Sequence, residues 1–412
     1  MDHVAALRCT ICGAEYDPTT FRYTCGEHDG WAGVLEVVYD YDRVLERFDA
    51  GLDGEVADQW KYRAFLPVAD DVEPVTLGEG GTALLNAPRL SEALGVETYV
   101  KDDGRNPTGV LKDRASAVSM TKARELGREV VTCASTGNAA ASLAGYAARG
   151  GFDCRIFVPG SAPEGKLAQP LVYGADVLAV EGSYEQATEL SLEVTDAYGW
   201  YNRNAAVNPY QVEGKRTVGL EVAEQAAARG LSPDWFVFSV GDGCTIFGGW
   251  KGVRELRDLG FVDDAPRMLG VQAEGAPHVH EVFKGEDDPS AAADTLADSI
   301  AVGQPANLVK AVKALRESDG ESVLVSDEAF LEAESLLGSA EGVYAEPAAA
   351  APVAGVRKAR EAGVIEPDET VVVCVTGTGL KDTKSAQRAA GTPTSIAPSL
   401  EAVAERYGDA AG

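Results

Sequence analysis

Basic residues are scarce in this chain of 412 residues, which has 36 lysines and arginines against 65 aspartates and glutamates, a formal net charge of −29. A surface of this charge repels the phosphates of nucleic acids and anionic lipids, so we expect neither a nucleic-acid partner nor a membrane partner. The acidic residues are scattered and not gathered into one tail. This pattern indicates a solvated acidic surface suited to high salt, where screening removes the self-repulsion.

Long hydrophobic runs are also missing. No apolar run approaches the roughly 18 residues needed to cross a bilayer. The first residues show no basic segment followed by an apolar core, so we expect no signal peptide and a cytoplasmic location. The hydrophobic fraction of 45 % and the length of the chain predict two or three domains with a large buried core.

Histidine and cysteine offer little for catalysis or for disulfide bonds. Four histidines are present, and no Ser-His-Asp set can be built from them. The seven cysteines do not form a disulfide framework, since three lie in the first 25 residues and four are scattered. Cys133, Cys154 and Cys374 lie in predicted strands and are expected to be small buried hydrophobic residues.

Short β-branched runs alternate with alanine-rich helical stretches from Glu97 to Gly379. This alternation favours an open, mainly parallel α/β sheet with right-handed crossovers. Ligands of such sheets bind beyond the carboxyl ends of the strands. Seven runs are predicted to be buried strands: VETYVKD, EVVTCAS, DCRIFVPG, DVLAVEG, WFVFSVGDG, RMLGVQAEG and TVVVCVTGTG.

The segment KDDGRNPTGVLKDRAS places a lysine, Lys112, just after a predicted turn. Asn106 to Gly109 should form this turn, because proline presets φ and glycine tolerates positive φ. A helix is predicted to begin near Lys112, where the charged form of a buried amine is disfavoured, which suits an imine-forming lysine. Taken alone, the same residues also fit an ordinary solvent-facing Lys-Asp-Arg at a helix start.

Three polar, glycine-containing segments follow predicted strands, at residues 135–138, 241–245 and 376–379. The first two precede predicted helices, where backbone N–H groups can hold a carboxylate or a phosphate. The hydroxyl of Thr376 suits one hydrogen bond to a heteroaromatic nitrogen, which it would leave neutral. Each segment alone also fits a helix cap, a strand–helix turn or a polar strand end.

Taken in order, these segments resemble the fold-type II enzymes that depend on pyridoxal 5′-phosphate (PLP) and, within them, the threonine synthases. The resemblance runs from about Val72 to Asp382. NPTGVLKDR resembles the family's NPTGSFKDR, STGNAAAS its STGN loop, VGDGCT its phosphate-binding glycine loop and TGTGLKD its closing segment. It implies a tryptophan synthase β-like fold of two open, twisted α/β domains with the cofactor between them.

The resemblance also implies a role for each matching residue. Lys112 becomes the catalytic Schiff-base lysine, Asn138 bonds the cofactor's ring oxygen, and Thr376 faces the pyridine nitrogen. The substrate carboxylate is held by Ser135, Thr136 and Gly137. The cofactor phosphate is held by Gly241, Asp242, Gly243, Cys244 and Thr245. Asp242 stands where the family usually has asparagine, and an ionised carboxylate cannot donate to phosphate, so the backbone N–H groups must do so.

The implied reaction converts O-phospho-L-homoserine and water to L-threonine and phosphate. The resemblance also implies that the protein is a homodimer and that its ligand is a small amino-acid substrate. Candidates for holding the substrate phosphate are Lys166, Asn202, Arg203, Asn204 and Lys215. Two alternatives remain open within the same fold: dehydration of serine or threonine, and β-replacement on phosphoserine as in a cysteate or cysteine synthase. A third is a non-catalytic adaptor, which the intact Lys112 disfavours.

The first residues carry a pattern of metal ligands. Cys9 and Cys12 form one pair, and Cys25 and His28 form another. Two such pairs at this spacing suit a structural, tetrahedral zinc ion held by three thiolates and one imidazole, although reduced cysteines without metal remain possible. We therefore predict a zinc-ribbon-like module at 1–33, a larger PLP-binding domain at 34–106 and 205–385, a smaller domain at 107–204 and a tail at 386–412.

Overall fold

The computed structural model describes residues 1–28, 32–48 and 51–408. Three sheets organise this part of the chain. Within the described residues, no helix combines the length and the apolar character that a membrane crossing requires.

A small antiparallel sheet forms the N-terminal module. Its strands are β1 (Val4–Cys9), β2 (Glu15–Tyr16) and β3 (Leu35–Tyr39), in the order β2-β1-β3. The inward-facing residues of β1 and β3 join a core that includes Phe65 and Leu256, so the module packs on the main body. The sheet extends beyond the predicted boundary at residue 33, because β3 pairs along most of β1.

The larger α/β unit contains six strands in the order β12-β11-β10-β13-β5-β4. All neighbouring pairs are parallel except the antiparallel edge pair of β4 and β5. The strands are β4 (Leu84–Asn86), β5 (Glu97–Asp102), β10 (Trp235–Ser239), β11 (Arg267–Ala273), β12 (Glu321–Val325) and β13 (Thr370–Val375).

The smaller unit is a fully parallel four-stranded sheet in the order β8-β7-β6-β9. Its strands are β6 (Val130–Ala134), β7 (Asp153–Pro159), β8 (Asp176–Val180) and β9 (Tyr201–Asn202). All seven strands predicted from the sequence are present, four in the larger sheet and three in the smaller one. The short strands β4 and β9 and the strand β12 were not predicted.

Helices cover both faces of each sheet, as parallel strands require. The α-helices are α1 (Tyr41–Arg47), α2 (Pro88–Leu94), α3 (Lys112–Glu125), α4 (Asn138–Gly150), α5 (Glu164–Val172), α6 (Tyr184–Tyr198), α7 (Tyr210–Ala227), α8 (Cys244–Asp258), α9 (His278–Lys284), α10 (Leu308–Glu317), α11 (Asp327–Glu341), α12 (Pro347–Glu361), α13 (Thr383–Ala390) and α14 (Leu400–Tyr407). Short 3-10 helices span Gln59–Phe65, Asp103–Arg105, Asp298–Ile300 and Gly379–Lys381.

Two apolar cores flank the larger sheet. One contains residues of α2, α11 and α12, and the other contains residues of α7, α8, α9 and α10. The smaller sheet packs α3 and α4 on one face and α6 on the other. The predicted tail begins inside α13, where Ser335 of α11 donates a hydrogen bond to the Ala389 carbonyl oxygen (3.1 Å).

Candidate active site

Lys112 begins α3 directly after the turn that the sequence predicts. The Gly109 N–H donates to the Asn106 carbonyl oxygen (2.7 Å), and Gly109 has a φ of +87°, which favours glycine. The Asp113 carboxylate accepts hydrogen bonds from the N–H (2.6 Å) and the hydroxyl (2.5 Å) of Thr108. These contacts fix the backbone on both sides of Lys112.

The segment that follows β13 runs beside this turn. The Leu111 N–H donates to the Thr376 carbonyl oxygen (2.8 Å), and Val110 pairs with Gly377 as an isolated antiparallel bridge. Two segments that are far apart in the sequence therefore form one wall next to Lys112.

Other cations surround Lys112. Burial, reinforced by Lys215 and Arg203, lowers the pKa of Lys112 to about 7. Arg203 is buried and donates to the Lys112 carbonyl oxygen (3.4 Å) and to the Ser116 hydroxyl (3.2 Å). Lys215 is only 1 % exposed. The buried cations Lys101, Arg114, Arg216 and Lys251 pair with carboxylates, but within the described ranges Lys112, Arg203 and Lys215 form no such ion pair.

The loop 241–245 joins β10 to α8 and is shaped to hold an anion. Gly243 has a φ of +90°, and a Cβ there would lie 2.8 Å from the Asn307 carbonyl oxygen, so the loop requires glycine. No described residue accepts a hydrogen bond from the backbone N–H groups of 241–245. These groups stand at the N-terminus of a 15-residue helix, where the helix dipole favours negative charge.

The Asp242 side chain binds the neighbouring segment 306–307 and so holds this loop in place. Its carboxylate accepts hydrogen bonds from the Ala306 N–H (3.1 Å) and from the side-chain amide of Asn307 (2.7 Å). The carboxylate is thus occupied by the neighbouring segment, and the free backbone N–H groups remain as the donors for an anion. Cys244 and Thr245 form the start of α8, with Cys244 buried.

The loop 135–138 joins β6 to α4 and presents further unused N–H groups. α4 begins at Asn138 without a side-chain cap, and no described residue accepts from the N–H groups of Thr136, Asn138 and Ala139. Within the loop, the Gly137 N–H donates to the Ser135 hydroxyl oxygen (3.3 Å). The arrangement suits a carboxylate.

Two residues that the sequence analysis missed close the crevice between these loops. The Asn138 side-chain amide donates to Glu346 Oε1 (2.7 Å) and to Ser299 Oγ (3.0 Å). Burial raises the pKa of Glu346, against these hydrogen bonds. A Cβ at Gly377 would lie 2.9 Å from Glu346 Oε1, so glycine leaves room for the carboxylate. One signal was available: Glu346 directly precedes Pro347, the typical junction at a helix start.

The predicted cofactor and substrate segments therefore lie close together. A Cβ at Gly241 would lie 3.2 Å from the Ser299 carbonyl oxygen, which brings the 241–245 loop beside the contacts of Asn138. The side-chain hydroxyl of Thr376 makes no hydrogen bond to a described residue. The roles of these residues toward a cofactor remain predictions.

Comparisons with known proteins agree with this geometry. The family model described as "Pyridoxal-phosphate dependent enzyme" matches residues 75–377. The threonine synthase of Methanosarcina acetivorans is 41 % identical over 404 residues, which cover 97 % of this chain and 98 % of that protein. The threonine synthase of Methanocaldococcus jannaschii is 40 % identical over 395 residues, which cover 94 % of this chain and 96 % of the relative.

This chain belongs to the threonine synthase family of pyridoxal-phosphate dependent enzymes. Its fold is similar to that of the processed form of threonine deaminase isoform 2 from Solanum lycopersicum, with a TM-score of 0.66, 20 % identity and coverage of 92 % of this chain and 99 % of that one. The predicted fold-type II architecture is confirmed. The predicted family is confirmed as well.

Within this threonine synthase family member, the candidates for a substrate-phosphate site separate into two groups. The Asn202 side-chain amide donates to the Thr195 hydroxyl (2.9 Å), and Asn204 Oδ1 accepts from the Ala134 N–H (3.0 Å). Lys166 forms an ion pair with Asp298. These three side chains are engaged within the fold. Arg203 and Lys215 are the two cationic candidates that form no ion pair with a carboxylate among the described residues.

The predicted metal ligands lie together in the N-terminal module. The ligand atoms of Cys9, Cys12, Cys25 and His28 all lie within 4.8 Å of one another. The Sγ atoms of Cys12 and Cys25 are 3.7 Å apart, close to the edge of roughly 3.8 Å expected for a tetrahedron with Zn–S bonds of about 2.3 Å. His28 Nε2 is buried and makes no hydrogen bond to a described residue. The donor set therefore fits a tetrahedral metal ion.

Proposed function

We propose that this protein converts O-phospho-L-homoserine and water to L-threonine and phosphate, with PLP bound at Lys112. The observation that carries this proposal is the group of buried cations around Lys112, which lack carboxylate partners within the described chain. Unpaired buried charge is costly, so a site of this kind is completed by anions. Both the cofactor and the proposed substrate carry phosphate.

The residues present fit PLP. The unused N–H groups of 241–245 suit its phosphate, and the amine of Lys112, whose pKa burial lowers to about 7, suits its aldehyde. Asn138, whose amide donates to Glu346 and Ser299, would exchange one of these bonds for the ring oxygen, and the Thr376 hydroxyl would serve the ring nitrogen. When bound, PLP supplies an electron-withdrawing ring that delocalises the negative charge left after proton removal from carbon.

The crevice offers separate places for the two acidic ends of the substrate. We assign the carboxylate to the N-terminus of α4, at Ser135, Thr136 and Gly137, where the backbone N–H groups of Thr136 and of the next two residues, 138 and 139, lack acceptors among the described residues. We assign the substrate phosphate to Arg203 and Lys215, which can donate several charge-assisted hydrogen bonds to its oxygens. Holding both ends fixes the carbon chain between them beside Lys112.

Lys112 is suited to move protons during the reaction. An amine with a pKa of about 7 takes up and releases protons at neutral pH, which is the condition for an efficient acid–base group. The reaction requires removal of one proton from each of the α and β carbons, then cleavage of the Cγ–O bond, with phosphate leaving with the bonding electrons. A proton must then be added at the γ carbon, which becomes the methyl group, hydroxide from water must add at the β carbon, and a proton must return to the α carbon.

A substrate comparison tests the proposal. The purified enzyme is given phosphohomoserine and phosphoserine separately while phosphate release is followed, and serine and threonine while pyruvate and 2-oxobutanoate are followed. We expect release from phosphohomoserine with formation of threonine. Dehydration of serine or threonine without that reaction, or release only from phosphoserine, would assign the chain to another reaction of the same fold.

We infer that the Cys9, Cys12, Cys25 and His28 site binds zinc with a structural role, because protein supplies all four ligands. Metal analysis of the purified protein should find about one zinc per chain. A Cys9→Ser, Cys12→Ser double variant should lose that metal. A wild-type protein purified without any metal would contradict this assignment.

The remaining proposals concern the oligomeric state, the domain division and the cellular conditions of the protein. We propose a homodimer in a cytoplasm where high salt screens the acidic surface. Each chain would have a smaller domain at 107–204 and a larger one at 34–106 and 205–385, from which the residues of β3 are excepted because they pair within the N-terminal sheet. Light scattering on the eluted protein measures the mass of the assembly. The activity and the unfolding temperature, measured at a series of salt concentrations, test whether the protein is adapted to high salt.

A further inference from the structure

The N-terminal module reaches the wall of the candidate active site through Tyr23. The Tyr23 hydroxyl oxygen accepts a hydrogen bond of 2.6 Å from the backbone N–H of Asn202. Asn202 ends β9, and the next residue is Arg203, which we assign to the substrate phosphate. A side chain of the module therefore contacts the backbone one residue away from the phosphate site.

Aromatic contacts hold this part of the module in place. The ring of Phe21 lies 4.6 Å from that of Tyr23, edge to face, 5.6 Å from that of Tyr201 and 6.1 Å from that of Tyr210. Tyr201 and Tyr210 are buried and belong to β9 and α7. Such contacts restrict where the Tyr23 hydroxyl can lie relative to β9.

Hydrogen bonds connect the region of Asn202 to the loop 135–138 and to the strand beside Arg203. Asn202 Oδ1 accepts from the Asn204 N–H (2.8 Å), and Asn204 Oδ1 accepts from the N–H of Ala134 (3.0 Å), the residue before the 135–138 loop. The Arg203 N–H donates to the carbonyl oxygen of Thr132 in β6 (2.8 Å). The backbone around Arg203 is thus set by contacts on both sides, and Tyr23 provides the one from the module.

The segment that carries Phe21 and Tyr23 lies between two of the candidate metal ligands, Cys12 and Cys25. A metal ion bound there would fix both ends of this segment. The module would then be a part of the site and not only a stabilising attachment.

We propose that Tyr23 is a positioning residue for substrate binding, which holds the β9 backbone so that Arg203 meets the substrate phosphate. This inference rests on the proposed function, which assigns Arg203 to that phosphate. Removing the Tyr23 hydroxyl leaves the Asn202 N–H without its acceptor, so the backbone beside Arg203 loses a fixed position. The cofactor contacts, which come from other loops, should be unaffected.

The test compares Tyr23→Phe with the wild type in the full-length holoenzyme. We expect the KM for phosphohomoserine to rise about five- to tenfold, the loss of one buried hydrogen bond, with kcat and the absorbance of bound PLP unchanged. Binding of inorganic phosphate, measured by calorimetry, should weaken by a similar factor. Unchanged KM and unchanged phosphate binding would overturn the inference.

Tyr198→Phe provides the matched control. Tyr198 is 69 % exposed at the end of α6, its ring lies 5.4 Å from that of Trp200, and its hydroxyl makes no hydrogen bond to a described residue. Loss of its hydroxyl should leave both phosphate binding and KM as in the wild type. An equal effect of both substitutions would also overturn the role of Tyr23.

Arg203→Met separates failure of this inference from failure of the proposed function. If Arg203→Met leaves KM and phosphate binding unchanged, the phosphate assignment is wrong and the inference falls with it. If Arg203→Met weakens both while Tyr23→Phe weakens neither, only the inference fails. Removal of the metal by a chelator should raise the KM of the wild type but change the KM of Tyr23→Phe little, because the module acts on the phosphate site through Tyr23. A large further rise of the KM in Tyr23→Phe would contradict this.

Discussion

Two groups of charges are centred on neighbouring residues of α3, Arg114 and Lys112, and only the first group is paired internally. Arg114 donates to Asp103 (2.6 Å) and to Glu221 (2.7 Å), and Lys101 donates to Glu221 (2.7 Å), with all four side chains fully buried. Two residues earlier, Lys112 lies near Lys215 and Arg203 without a carboxylate partner among the described residues.

The electrostatics of the two groups differ accordingly. Burial alone would raise the pKa of Glu221, but Arg114 and Lys101 outweigh it and hold the pKa at about 2. At Lys112, burial and the neighbouring cations act in the same direction and lower the pKa to about 7. The paired group is complete without a ligand, whereas the unpaired group needs an anion. These two groups therefore differ in whether their cations have carboxylate partners: the paired cations stabilise the fold, and the cations without such partners are available to bind an anionic ligand.

The largest expected effect comes from removing the reactive amine of the unpaired group. Lys112→Ala should reduce threonine formation on the order of 10²–10⁴-fold or more, because the group that carries the cofactor and moves protons is lost. Phosphate release from phosphohomoserine measures the effect. Lys284→Ala, which alters an exposed lysine paired with Glu321, is the control and should keep full activity. Full activity of Lys112→Ala would end the assignment of this lysine.

The next expected effect concerns stability, and it should separate the two groups directly. Arg114→Met should lower the free energy of unfolding by about 3–5 kcal/mol, because it leaves Asp103 and Glu221 with uncompensated buried charge. Arg203→Met should cost far less in the cofactor-free protein, since it removes a buried cation that has no carboxylate partner in the described structure. Urea unfolding of both variants in a buffer without phosphate gives the comparison. Equal destabilisation by the two substitutions would refute the distinction.

Substrate affinity should depend on the unpaired group around Lys112 and not on the paired group around Arg114. Lys215→Met should raise the KM for phosphohomoserine about tenfold or more, because one charge-assisted contact to the phosphate is lost. Lys101→Met should leave the KM unchanged in whatever fraction of the protein folds. Steady-state kinetics with the bound cofactor quantified for each variant provide the measurement. A normal KM for Lys215→Met would remove this lysine from the phosphate site.

The local parts of this site could be predicted from the sequence, because each is a continuous segment. Asn106 to Gly109 encodes a turn through proline and glycine, and the backbone confirms it at Gly109. The three glycine-containing segments each follow a strand, as predicted. The order of these segments carried the resemblance to the family, which the comparisons confirm.

The partners of the charges could not be predicted, because they come from distant parts of the chain. Nothing near Arg114 in the sequence indicates that Glu221 will pair with it, and nothing near Lys215 indicates that no described carboxylate will pair with that lysine. Glu346 and Ser299 were missed for the same reason, since they meet Asn138 only after three separate elements have packed. Lys166 fits a phosphate site by its residue type alone, but its ion pair with Asp298 comes from a distant part of the chain and engages its charge.

The smallest expected effect is a shift in the titration of Lys112, and it tests the electrostatic basis of the comparison. In the cofactor-free protein, the neutral amine reacts with an aldehyde, so the labelling rate should rise with pH through a midpoint of about 7. Below that pH the amine is protonated and the rate falls. Lys215→Met removes a neighbouring positive charge, which makes the protonated form easier to hold and should raise the midpoint by about one pH unit or less. Labelling with PLP and borohydride at a series of pH values, read from the peptide that contains residue 112, measures both midpoints. A lower midpoint in Lys215→Met would mean that Lys215 does not act on Lys112 as a neighbouring cation.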